Sequence, residues 1–152
     1  MTPPATGPEG PDTNPKAVDT LGKLHTRTVD ALKGFETMVE KAEPEFRPVA
    51  LQFRDLHSRQ AAQMAQLLTA MGGKIDADGS FMATVNRTVV SMRALFDEID
   101  DDVMDAVRSG EERILEAFDA ALAEDQPHQA QRALMNMREE LHSLLTATRH
   151  LD

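Results

Sequence analysis

Apolar residues recur at three- and four-residue spacing along nearly the whole chain after residue 15, the spacing that lines one face of an α-helix. A first segment, from about Pro15 to Ala42, carries Leu21, Leu24, Thr28, Ala31, Leu32, Phe35 and Val39 on one stripe. Pro44, tolerated in a first helical turn, opens a second with Phe46, Val49, Phe53, Leu56, Met64, Leu67 and Met71, which "MGGK" ends. After "IDADGS", Ser80 caps a shorter third segment with Phe81, Val85, Val89, Met92 and Phe96. Beyond the acidic junction "DEIDDD" a fourth reaches about Glu124 with Val103, Val107, Ile114, Phe118 and Ala121. Pro127 opens a fifth, striped by Leu134, Met137, Leu141, Leu145 and Thr148.

Four of these segments are about 24 to 28 residues long and the third is about 18, a pattern of four matched rods and one connector. Connections of about two to four residues inside the first and last pairs make each pair an antiparallel hairpin. The expected fold is all-α, a ferritin-like four-helix bundle of two antiparallel helical hairpins joined by a shorter crossover helix. A weak echo between "GFETMVEKAEP" at 34–44 and "AFDAALAEDQP" at 117–127 supports two related halves.

Five of the eight prolines fall in the first 15 residues, beside Gly7 and Gly10, so residues 1–15 read as a flexible tail and 16–152 as the bundle domain. Trp and Tyr are absent and Val and Ile sparse, which leaves strands little to be made from, and the absence of Cys excludes disulfides and thiol chemistry. A net charge of −10 argues against a coat for nucleic acid or anionic membrane, which needs clustered Lys and Arg. With neither a secretory pattern nor an apolar run long enough to span a bilayer, the expectation is a soluble cytoplasmic protein, without membrane insertion.

The order and spacing of Leu21, Gly34-Phe35, Gly72-Gly73, Gly79-Ser80, Arg87, Gly110-Glu111, Pro127 and His142 resemble an uncharacterised family of bacterial ferritin-like helical-bundle proteins, from about Val18 to the end. That family usually has a His before the Arg and an aromatic two residues after it, where Asn86 and Val89 stand here. It often has an acid two residues before the Gly-Glu pair, where this chain has Arg108. The resemblance implies the bundle fold and no particular activity.

Two stretches, "RDLH" at 54–57 and "EELH" at 139–142, look like repeated metal-ligand pairs, since a Glu-x-x-His on each of two helices is how such bundles hold two metals. Helical phase, at about 100° per residue, separates them. His57 and Gln60 lie within about 40° of the stripe centred on Phe53, while Arg54 and Asp55 point away. Glu139 and His142 both point out of the bundle, His142 as a solvated helix position. The acids leaning inward are Glu111, at about 60°, and Glu36 and Glu140, at about 80°.

His57, Glu111, Glu140 and Glu36 are therefore the candidate metal ligands, iron or another divalent metal being the ion they would take. They fall short of the four carboxylates and two histidines of a di-iron centre. A core histidine bonded to Gln60 or to a hydroxyl such as Thr28 is an equal reading of His57. Gly110 beside Glu111 is a place where another helix can approach. The methionines on the stripes read as core filler and the acid run 97–102 as a solvated junction, for it lacks a calcium loop's alternation.

Two functions follow. One is a non-catalytic, stress-associated scaffold or interaction protein with an incomplete metal site, acting as a homo-oligomer or with a protein partner. The other is a metal-binding protein handling iron or oxidative stress. A conventional enzyme is the weakest reading, because no Ser-His-Asp set, phosphate loop or dinucleotide fingerprint is present.

Overall fold

The computed structural model describes residues 14–73 and 103–151. They form four α-helices, α1 (Pro15–Lys41), α2 (Arg47–Ala70), α3 (Met104–Leu122) and α4 (His128–Ala147), with a 3-10 turn at Arg149–Leu151 and no strand among the described residues. The tail through residue 13, the Ser80 cap and third segment, and the acidic junction up to Asp102 lie outside the described residues.

Each helix buries the stripe its spacing sets out, apart from shifts of one residue. In α3 and α4 every striped residue named above is buried, with Phe118, Ala121, Leu134 and Leu141 closed completely. In α2 the stripe passes through Leu68 rather than Leu67, which is only partly covered. In α1, Met38 and Thr37 are buried where Leu32 and Val39 are half-covered. A fully closed Phe or Leu contributes roughly 1.5–3 kcal/mol by leaving water, so one continuous core between the four helices is the main source of stability.

The packing pattern fixes the helix directions. α1 packs most extensively on α2, then on α3; α3 packs on α4 and α4 on α2, so α2 and α3 face each other across the core diagonal. Gly73, past the end of α2, lies against Val18 at the start of α1, and the Gln126 amide past the end of α3 donates to Ala17 O there as well. α2 and α3 therefore end at the same end of the bundle as α1 begins, and each runs antiparallel to α1.

Helix ends are set by side chains arriving from elsewhere. Asn14 Oδ1 accepts from Lys16 N and caps α1, whose second end is closed by Arg47, donating to Val39 O and Ala42 O at 3.2 and 2.9 Å. Pro44 does not begin α2, as the spacing suggested; it lies in the five-residue turn 42–46, and α2 starts three residues later with Pro48 in its first turn. Arg47 must leave the turn to reach the carbonyls of α1, which delays the helix. α3 and α4, at 19 and 20 residues, are also shorter than expected. Gln126 takes Ala121 O at 2.9 Å at the end of α3, and Arg108 takes Thr148 O and Arg149 O at 3.0 and 2.9 Å at the end of α4. No helix among the described residues is long and apolar enough to cross a membrane.

The glycine stop at the end of α2 is a full Schellman turn: Gly72 N donates to Thr69 O at 3.1 Å and Gly73 N to Leu68 O at 2.8 Å. Gly72 holds φ at +82°, where a Cβ is strained although nothing would touch it. Gly72→Ala is expected to lower stability by about 1 kcal/mol, read as the urea midpoint, with the helical circular dichroism unchanged.

A buried histidine–glutamate pair and the groove beside it

His57 lies one turn after Phe53 on α2, and Gln60 three residues further, so both share the face that the apolar stripe turns inward. Glu111 stands on α3 between Val107 and Ile114, four residues after one and three before the other, in the middle of that helix's buried stripe. The two helices thus deliver an imidazole and a carboxylate to the same point of the core. His57 Nε2 and Glu111 Oε1 are 2.5 Å apart, with side chains 0% and 3% exposed.

At that separation one hydrogen lies between the two atoms, since two facing lone pairs would repel. His57 Nδ1 has no hydrogen-bond partner among the described residues. A neutral imidazole donating through Nε2 leaves only a lone pair at Nδ1, which costs less than an unpaired N–H, so the geometry favours that tautomer with Glu111 accepting. Phe35 completes the setting. Its ring stacks on Phe53 at 5.0 Å and on the His57 ring at 5.6 Å, inclined by 24°.

The remaining candidates lie apart from this pair. The Gln60 amide donates to Met137 O at 2.9 Å and to Glu140 Oε1 at 3.0 Å, while Arg59 holds the other oxygen of Glu140 at 2.9 Å on the surface. Glu36 is half-exposed and pairs with Lys33 at 3.4 Å. The Thr28 hydroxyl donates to Leu24 O within its own helix, so neither Gln60 nor Thr28 is the partner of His57. Arg54 pairs with its neighbour Asp55, Glu139 accepts from Ser143 and His142 is exposed. Among the described residues no group of three His, Asp or Glu side chains is arranged to hold a metal ion.

Glu111 also reaches the wall of a groove of about 270 Å³ between α1 and α3. Phe35, Met38, Val107 and Ile114 supply its apolar surface, and Asp30, Arg27 and Arg113 its charge. Asp30 is half-buried, with one carboxylate oxygen closed off and without a partner among the described residues. Burial pushes its carboxyl up to about 6, against the pull of Arg27 toward the ionised form. Burial likewise lowers His25, which is 8% exposed.

A Cβ on Gly110 would meet nothing within 4 Å, so this glycine does not mark a close helix approach, as its sequence position suggested; it borders open space. Asp30 and the groove were not marked by the apolar stripes. The signal that finds them is small residues four apart on facing helices, Gly34 one turn after Asp30 and Gly110 one turn after Ala106.

Residues 16–124 match the model of a family described as "Domain of unknown function (DUF2383)". No curated protein and no solved structure matches the chain. The matched span holds α1 from its second residue and α2 and α3 entire, and with them His57, Glu111 and the groove; Met137 and Glu140 of α4 fall beyond it.

Two outcomes follow from these buried groups. Removing one member of the pair strands the other in the core, so His57→Leu, which leaves a buried carboxylate alone, is expected to cost about 3–5 kcal/mol and Glu111→Leu, which leaves a neutral imidazole, about 1–3 kcal/mol, whereas the double substitution comes close to wild type, a coupling measurable by urea denaturation of all four proteins. Asp30 gives a pH dependence of opposite sense to a paired acid. The folded state keeps its proton up to about pH 6 and the unfolded chain loses it near 3.8, so stability falls as pH rises between these values. Asp30→Asn is therefore expected to stabilise at pH 7.5 by about 1 kcal/mol or less, after solvent screening of a half-exposed group, and to have no effect at pH 3.5, in the same measurement.

Proposed function

The chain belongs to this family of unknown function, and we propose that it is a ferritin-like bundle serving as a non-catalytic scaffold or interaction protein, stress-associated, with an incomplete di-metal site whose inward histidine and carboxylate, His57 and Glu111, bond each other. The observation that carries this reading is the direct bond between His57 and Glu111. In a di-iron bundle the inward histidines and carboxylates turn to the ions. Here the two groups nearest that role consume one another, Glu140 is engaged by Gln60 and Arg59, and Glu36 belongs to the outer surface with Lys33.

The ferritin-like arrangement is supported by the helix directions. With α2 and α3 both antiparallel to α1, the end of α2 and the start of α3 stand at opposite ends of the bundle, as the two ends of a crossover between hairpins do. We place the protein in the cytoplasm as a homo-oligomer, built through outward helix faces.

The alternative reading, a protein that binds iron or another divalent metal, draws on His57 Nδ1. A histidine that ligates metal through one nitrogen commonly has a carboxylate on the other. The two readings separate on protein purified without nickel affinity. Metal analysis is expected to find far less than one iron, manganese or zinc per chain, and ultracentrifugation an assembly larger than the monomer. A stoichiometric metal overturns the scaffold reading.

A further inference from the structure

We propose that the groove between α1 and α3 binds a small zwitterion with an apolar body, of the size and chemistry of an aromatic α-amino acid, with its ammonium on Asp30 and its carboxylate toward Arg27 and Arg113. The site is independent of the scaffold reading and uses residues that reading leaves without a role.

Three observations meet there. The groove, at about 270 Å³, is far larger than the ~30 Å³ share of one water and close to the low end of small-molecule pockets, roughly 300 Å³. Its walls are an aromatic ring and aliphatic side chains, Phe35, Met38, Val107 and Ile114, which water solvates poorly and a phenyl group covers well. Gly110 keeps it open. A glycine inside a helix costs about 1 kcal/mol against alanine, and no close packing at this one accounts for it, whereas room for a guest does.

Charge then selects the guest. The closed-off oxygen of Asp30 is an acceptor with no donor among the described residues, and an ammonium group supplies one. Arg27 and Arg113, one from each helix, oppose a simple cation but suit a ligand that also carries a carboxylate. Glu111 is 2% exposed with its Oε1 bonded to His57, so the accessible carboxylate of the groove is Asp30. On the outer side of Asp30 stand Asp19, Lys23 and His25, and there Lys23 pairs with Asp19 at 3.2 Å.

The test compares L-phenylalanine, phenethylamine and 3-phenylpropionate on the full chain, by titration followed in two-dimensional amide NMR spectra. Phenylalanine is expected to shift the amides of 27–38 and 106–114 and to bind about tenfold or more tightly than either probe that lacks one charge. Asp30→Asn, which the stability argument above leaves folded, reduces phenylalanine to the affinity of phenylpropionate. Gly110→Leu fills the groove and abolishes binding while the spectrum elsewhere stays native. In wild type, binding weakens as pH drops below 6, where Asp30 takes up its proton. Equal binding of the three probes, shifts outside the two segments, no binding at all, or an Asp30→Asn protein indistinguishable from wild type would each overturn the proposal.

Discussion

An imidazole and a carboxylate withdrawn from water each lose several kcal/mol of solvation if charged, and a helical core tolerates them only if they meet. In this bundle His57 and Glu111 meet, and much else is arranged around that fact. Phe35 must lie between α1 and α2 so that its ring covers the imidazole; the stripe of α3 must present Glu111 between two aliphatic residues; α2 and α3 must stand at the diagonal. None of these helices needs the pair in order to be helical. Given the pair, however, their rotations are no longer free.

The helix ends show a contrasting economy. Arg47, Gln126 and Arg108 each give their donors to carbonyls at the end of another element or an earlier turn. The last of these stands where the resembling family often has an acid. Here the arginine gains a structural use, closing α4 against α3. Such long-range caps explain why the helices stop where they do, although their own sequences would carry them further.

Helical phase made half of the site legible. The position of His57 and Gln60 relative to Phe53 is a matter of rotation about one axis, and rotation can be counted along a sequence; both are buried, as counted. Glu111, at about 60° from its stripe, turned fully inward because the carboxylate is drawn to the imidazole. Which residue each would bond is a matter of distance between axes, on which one helix's spacing is silent; Gln60 went to α4, and His57 found an acid 54 residues away. Asp30 was overlooked for a related reason. Its position is a lone acid between Val29 and Ala31, and only the absence of bulk on the opposite helix turns it into the wall of a groove. Pro44 misled because a proline permits a helix start without requiring one.

The bond between α2 and α3 has one more implication. Parallel helices that scarcely touch have little to prevent one from sliding past the other; apolar side chains accept a shift of one residue with modest repacking. A slide of one residue moves a side chain about 1.5 Å along the axis and swings it through about 100°, which takes a carboxylate oxygen out of reach of any imidazole nitrogen. A single pair therefore works as an alignment key, rejecting every stagger but one in a core of otherwise interchangeable aliphatic teeth.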